Sequence, residues 1–326
     1  MTVVWGAYGM GEHMTRRLLP AIQRARGGKL SAVGHYYLER AKSVADEFGV
    51  PLCYDSLDEL LRNDEITALA VATPNHLHYE HSKAVLEAGK HLFIEKPLTL
   101  KSFHAKEIIE LSQKKNLKVG VGFHLRYHAV LSEMRRRIAA GDVGEPLYIH
   151  ATFGRVHPWA EGSWWADPEK AGPQVISGYG VHLIDLCRWL LDAEISSVSA
   201  ELLWEPQNTF AAFHLHMSNK VHCSLMCSSI IEHIPNTIEL MGREGRLVGA
   251  GAVTTVDAGK LLRSLEKRVE MIEVTPKDPY LNEIETFNKC LADGRGFQAD
   301  GFDGLKVVQA QEAIIKSSER GCVVTL

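Results

Sequence analysis

The sequence predicts an α/β protein of two domains: an N-terminal, doubly wound parallel sheet, then a C-terminal α/β domain on an open, mainly antiparallel sheet. Three observations carry this. Short apolar strands alternate with helical stretches over residues 1–122. After Phe123 most strands follow one another with no helix between them. No low-complexity tether joins the two patterns, so the domains are assigned as 1–122 and 123–326. A chain of 326 residues is long for one core and suits two.

The elements follow in order. Residues 3–5 are an apolar strand that runs into glycines, and a helical stretch begins near Met10 and is interrupted at Pro20. Residues 30–34 form the second strand. A helix over 40–48 is ended by Gly49 and Pro51, and a short one over 57–61 is capped by Asp55 or Ser56. Strands at 68–72, 91–94 and 119–122 alternate with helices at 78–88 and 103–115. In the second domain a helix over 130–140 precedes strands at 147–153, 197–203, 209–217, 221–228 and 237–241. Helices are expected at 183–191, 283–292 and 304–318.

Composition narrows the function. Net charge is −4, and the basic runs are short, Lys114–Lys115 and Arg135–Arg136–Arg137, with the arginines expected to face solvent. Nucleic acid is therefore not expected as a partner. No segment reads as a signal peptide or membrane span, which predicts a cytoplasmic protein. The six cysteines form no C-x-x-C pair and read as buried free thiols.

Ligands of doubly wound sheets sit at the carboxyl ends of the strands. Gly6-Ala7-Tyr8-Gly9-Met10-Gly11 follows the first strand and opens the first helix. Such a turn brings backbone close to a pyrophosphate, with the helix start supplying amide donors. In the best alignment Gly6 is the first glycine, Tyr8 takes the middle position and Gly11 is the third; Gly9 restores room beside Tyr8. An acid normally ends the second strand and binds the ribose 2′-hydroxyl. Here the end is Gly34-His35-Tyr36, with Arg40 five residues past His35. His35 and Arg40 suit a 2′-phosphate, which tilts the expected cofactor from NAD toward NADP. A solvated arginine at a helix start is the competing reading.

Three further segments establish a resemblance: Thr73-Pro74-Asn75-His76-Leu77-His78; Glu87-Ala88-Gly89-Lys90-His91 leading to Glu95-Lys96-Pro97; and Gly180-Val181-His182-Leu183-Ile184-Asp185. Together they resemble the glucose-fructose oxidoreductase / inositol dehydrogenase / rhizopine catabolism (Gfo/Idh/MocA) family over nearly the whole chain. The resemblance implies an N-terminal Rossmann domain and a substrate domain whose open sheet builds homodimers or homotetramers. It implies NAD(P)-dependent oxidation or reduction of a small molecule, commonly a sugar, cyclitol or related carbonyl compound. Lys96 takes the place of the family's catalytic lysine, followed by Pro97, a position that is often cis. His182 takes the place of its catalytic histidine. Cofactor contacts are expected from residues 6–11, His35, Arg40, Thr73, Pro74, Asn75, His78, Glu95 and Lys96. Substrate contacts are expected from Arg126, Trp164, Trp165, Asp185 and His182.

The expected catalytic pair departs from the family at one position. The aspartate expected four residues before His182 is Gly178. Proton transfer at a carbinol oxygen suits a histidine that a carboxylate orients. Three outcomes stand open: Lys96 and His182 suffice, the substrate supplies an acid, or the activity has drifted. Two alternative functions follow, an NAD-dependent glycosidase of the same fold and a catalytically impaired nucleotide-binding sensor. Other clusters have structural readings. His76, His78 and His81 lack a ligand shell, so no metal is expected. Trp159, Trp164 and Trp165 form either a sugar-stacking surface or a packed lid. Trp165 stands where relatives often carry arginine. Asp185 either meets substrate hydroxyls or caps its helix.

Overall fold

The computed structural model describes residues 2–156, 162–203 and 209–326. Trp159 lies outside them. The chain forms two compact units: Met1–Gly122 with Tyr280–Lys306, and Phe123–Pro279 with Val307–Leu326. The change of pattern at residue 122 is thus one boundary of three. The expected single second domain over 123–326 is corrected by the return of Tyr280–Lys306 to the first unit.

The first unit is a six-stranded sheet ordered β3-β2-β1-β4-β5-β6. Its strands are β1 (Val3–Tyr8), β2 (Gly28–Gly34), β3 (Leu52–Tyr54), β4 (Ala68–Val71), β5 (His91–Ile94) and β6 (Val119–Val121). Every pairing is parallel. The order reverses between β1 and β4, the position at which a Rossmann sheet binds its ligand. The helices are α1 (Leu19–Arg24), α2 (Leu38–Phe48), α3 (Leu57–Leu61), α4 (His78–Glu87) and α5 (Ser102–Lys114). Local chemistry sets their ends. Gly49 closes α2 at φ 62°, and the Ser56 side chain caps α3 by accepting from the Glu59 amide.

Two early expectations are corrected. The first strand continues through Gly6, Ala7 and Tyr8. A β-carbon on Gly6 would lie 2.6 Å from Leu69 Cδ1, so the glycine admits close packing within the strand. Pro20 does not interrupt the first helix. The turn Met14–Leu18 is π-wound and leads directly into α1, where Pro20 sits in the first turn. Proline lacks an amide hydrogen, and the wider turn accommodates it.

The returning segment explains the aromatic core. Trp5, Phe93 and Phe287 are fully buried, and Phe297 is 4% exposed. The Trp5–Phe287, Phe93–Phe287 and Phe287–Phe297 ring centroids are 5.6, 5.5 and 5.1 Å apart. Trp5 Nε1 donates to Asn288 Oδ1 at 2.8 Å, which satisfies the buried indole.

The second unit carries α6 (Ala129–Ala139), β7 (Pro146–Gly154), α7 (Pro168–Ala171) and α8 (Val181–Leu191). Next come β8 (Ile195–Leu203), β9 (Phe210–Met217), β10 (His222–Ser228), β11 (Ile238–Gly242), β12 (Gly245–Ala250), β13 (Lys260–Leu265) and β14 (Arg268–Ile272). The chain then forms α9 (Pro279–Asp293), α10 (Gly301–Arg320) and β15 (Val324–Thr325). The nine-stranded sheet runs β14-β13-β12-β11-β7-β10-β9-β8-β15. In this sheet, among the described strands, only the β7–β10 pairing is parallel, so it is mainly antiparallel as expected, with one parallel pair at its centre. Ile149, Leu215, Leu225 and Leu240 are buried on one face. Every residue of α8 is buried, which is why it reads as apolar all round.

Several surface expectations change. Arg136 and Arg137 grip Glu133, Arg137 also holds Asp142, and Arg135 lies 4.9 Å from the Trp189 ring centre. The cysteines are free, but only Cys187, Cys223 and Cys227 are buried; Cys322 is exposed. Among the described residues no helix is long and apolar enough to cross a membrane.

Candidate active site

In the first unit the turns after β1, β4 and β5 are tied together. The sharp turn after β1 is Gly9, at φ 93°. A β-carbon there would lie 2.7 Å from the Ala72 carbonyl oxygen and from Thr73 Cγ2, so glycine is required on both counts. Next to Gly11 a β-carbon would meet nothing within 4 Å, which leaves the helix start open. Gly6, Ala7 and Tyr8 belong to β1, and Tyr8 is buried with its ring where a β-carbon on Gly34 would fall, 2.8 Å from Cδ2. The Met10 side chain is buried too. Gly9-Met10-Gly11 is the part of the motif that lies beyond β1.

The Met10 carbonyl accepts from Arg40 Nε at 3.0 Å, which holds the exposed arginine beside this turn. His35 Nδ1 accepts from the Tyr37 amide at 3.0 Å. Burial, with a smaller contribution from Arg40, lowers the His35 pKa. Tyr36 and Tyr37 lie tilted against each other at 4.1 Å between ring centres, and both are exposed. The end of β2 thus presents aromatic rings and an arginine where an acid is usual.

The turn after β4 is Thr73-Pro74, followed by the buried Asn75, which opens a short 3-10 turn. Thr73 Oγ1 lies 2.9 Å from His81 Nδ1. Burial foremost, then the neighbouring His78 and His76, pushes the His81 pKa down to about 4, so the ring is neutral and its tautomer sets which of the two groups donates. His78 spans two turns: Nδ1 is 2.6 Å from the Pro97 oxygen and Nε2 is 2.9 Å from the Thr73 oxygen. His78 is 1% exposed, so the expected cofactor contact by its side chain is replaced by an internal one.

After β5 come Glu95, Lys96 and Pro97, with a cis Lys96–Pro97 bond. Glu95 Oε1 lies 2.8 Å from His13 Nε2, and Oε2 accepts from the Lys96 amide at 3.3 Å. Loss of water around the Lys96 ammonium lowers its pKa, and the Glu95 charge opposes that shift. Lys90, from the same motif, acts elsewhere. Its buried ammonium donates to the Asn63 and Ile66 carbonyls at 2.8 and 2.9 Å. The part played by His13 is not readable from the sequence, because no local signal links residues 82 positions apart.

In the second unit His182 is 4% exposed in the first turn of α8. Its ring centre lies 4.9 Å from that of His124 and 5.7 Å from that of Phe153, both edge-on. His124 carries no motif that singles it out in the sequence. The preceding turn, Ile176–Gly180, is π-wound and contains Gly178. A β-carbon on Gly178 would meet nothing within 4 Å, and its φ is not in the left-handed region. The absent carboxylate therefore leaves open space.

Arg126 and Asp185 do not stand ready for substrate. Arg126 Nε and Nη2 donate to the two Asp185 oxygens at 2.8 and 2.5 Å, and the side chains are 3% and 1% exposed. This buried bidentate pair fastens the segment after residue 122 to α8, and it replaces the expected substrate contacts. Trp164 and Trp165 stack on each other at 4.3 Å, and the Trp165 carbonyl accepts from Gln174 Nε2.

A Rossmann sheet with a glycine turn at its switch point, a half-buried lysine after β5 and a separate unit bearing a buried histidine define a nucleotide-dependent oxidoreductase. Residues 3–123 match the oxidoreductase family with the NAD-binding Rossmann fold, and residues 131–248 match the GFO/IDH/MocA C-terminal domain. The chain belongs to the Gfo/Idh/MocA family and is an NAD(P)-dependent oxidoreductase. It is 26% identical to 1,5-anhydro-D-fructose reductase of Ensifer adhaerens, over 97% of this chain and 96% of that protein. It is 25% identical to D-xylose 1-dehydrogenase (NADP(+)) 2 of Haloferax volcanii, over 99% and 98%. Aldose-aldose oxidoreductase from Caulobacter crescentus, crystallised with glycerol, shares the fold at a TM-score of 0.94 and 21% identity, with 100% of both chains covered.

Proposed function

We propose that this enzyme transfers a hydride between the nicotinamide of NADP, in preference to NAD, and a carbinol or carbonyl carbon of a sugar-like, cyclitol-like or related substrate. Lys96 is the observation that carries the reading. It is a lysine of lowered pKa on the turn after β5, in the sheet whose glycine turn leaves Gly11 open. When bound, the nicotinamide supplies the two-electron donor or acceptor. Lys96 donates a hydrogen bond to the reacting oxygen and stabilises the charge that develops there. Glu95 keeps that lysine protonated against its burial, and His182 takes or returns the hydroxyl proton. Gly9-Met10-Gly11 receives the pyrophosphate with backbone amides. The substrate class is supported by the anhydro-sugar and xylose named for the two relatives. The NADP preference is supported by the absence of a carboxylate at the end of β2 and by Arg40 beside Met10.

A screen over sugars, inositols and keto-sugars, read at the nicotinamide absorbance band with each nucleotide, tests the assignment. Turnover of a polyol or sugar with NADP is expected. Nucleotide titration by fluorescence quenching checks the preference, and NAD binding tenfold more tightly would remove the roles given to His35 and Arg40. Cofactor retained through purification with no net absorbance change during turnover would assign the glycosidase reaction instead. The same proposal has the chain form a homodimer or homotetramer through the open face of its second sheet.

A further inference from the structure

Among the described residues, His78 is the one ring in the first unit whose two nitrogens both lie on backbone carbonyls of turns that flank Lys96 and the glycine turn. The Thr73 oxygen belongs to the turn that packs against Gly9, and the Pro97 oxygen belongs to the residue after Lys96. Carbonyls only accept, so a neutral imidazole with one N–H serves one of them at a time and an imidazolium serves both. Burial foremost, with the Lys96 charge beside it, outweighs the two carbonyls and Glu95 and lowers the His78 pKa, which favours the neutral ring. In either state the ring fills the gap between the turns, and at 1% exposure it is shut off from solvent.

We propose that His78 is a positioning residue for Lys96: by filling the gap between the Thr73 and Pro97 turns and donating to one of their carbonyls at a time, it fixes the turn from which the lysine side chain extends. The inference rests on the reading of Lys96 as the hydrogen-bond donor in turnover. Without the clamp, the turn after β5 keeps the Glu95–His13 and Glu95–Lys96 amide contacts but loses this tie to the Thr73 turn. Lys96 then samples more positions and more water. Added water reverses the burial that lowers its pKa, and lost placement slows the chemical step.

The test uses the full chain carrying His78→Phe, which keeps a flat ring without its nitrogens, and His78→Gln, which restores an amide donor. Lys96 acetylation is followed by mass spectrometry across pH, nucleotide affinity by fluorescence, and folding by thermal unfolding. In His78→Phe the midpoint of Lys96 acetylation is expected to rise by about one pH unit. The nucleotide Kd is expected to change by less than about threefold, and kcat on a substrate from the screen to fall about tenfold or more. His78→Gln is expected to recover part of both losses, and it carries the measurement if His78→Phe does not fold. The kcat loss should vanish in a Lys96→Ala background, because both changes act on one group. An unmoved Lys96 midpoint with only a lowered Tm overturns the proposal, as does a tenfold loss of nucleotide affinity with Lys96 unmoved. Retained turnover in Lys96→Ala alone would sink the reading of Lys96 while leaving the acetylation result to stand.

Discussion

Glu95 and Lys96 are neighbours in sequence whose roles are linked. Burial lowers the Lys96 pKa and Glu95 raises it. A lysine that must donate is active below its pKa and fails above it. Removing the Glu95 charge lowers that pKa further, so Glu95→Gln should shift the alkaline limb of the kcat profile to lower pH by about one unit. An unmoved or upward-shifted limb in the pH–rate profile would contradict the role given to Glu95. His182 poses the opposite case, a histidine whose family carboxylate is absent. The open space where a β-carbon on Gly178 would lie, and its ordinary φ, remove the backbone objection to Gly178→Asp. The variant should raise kcat and move the controlling pKa upward, since an anion beside imidazole favours the imidazolium. Unchanged kinetics in both Gly178→Asp and His182→Ala would remove His182 from the chemistry. At this scale the places of Lys96 after β5 and of His182 in the first turn of α8 are legible from motif context. The bonds His13–Glu95, His78–Pro97 and Arg126–Asp185 are not, because each joins positions that local sequence does not link.

Elements are legible where periodicity and punctuation agree. The glycine closing α2 and the serine capping α3 are examples, since both act within one turn of their own position. The failures share a cause. Two π-wound turns, Met14–Leu18 and Ile176–Gly180, interrupt the 3.6-residue period just after the glycine turn and just before His182. Strand β3 is three residues long and β14 is largely exposed, so neither shows an apolar alternation. Helix α9 is expected from the sequence, but its place in the first unit is not, because its anchor Phe287 meets Trp5 and Phe93 from nearly the other end of the chain. Phe287→Ala should therefore lower the stability of the nucleotide-binding unit by about 3–5 kcal/mol. Chemical denaturation followed by tryptophan fluorescence checks this, and a loss under about 1 kcal/mol would mean that α9 is dispensable to that core.

For the whole molecule, the doubly wound class of the first sheet and the change of pattern at residue 122 are readable, while the order of strands within each sheet and the two later crossings between units are not. The second sheet buries one face and leaves the other open. Register places Met241, Val269 and Met271 on the open side, with Met271 opposite Leu262 and Val269 opposite Ser264. These three are 36%, 66% and 52% exposed. Sedimentation should show a dimer or tetramer, with Met241→Glu shifting the equilibrium toward monomer; a monomer at all concentrations would leave that face without its proposed partner. The account turns most directly on one comparison: wild type and Lys96→Ala, each titrated with nucleotide and assayed for turnover at the nicotinamide band. The nucleotide Kd should stay within about threefold while kcat falls by about two to three orders of magnitude. A Lys96→Ala enzyme that keeps most of its kcat would contradict the account.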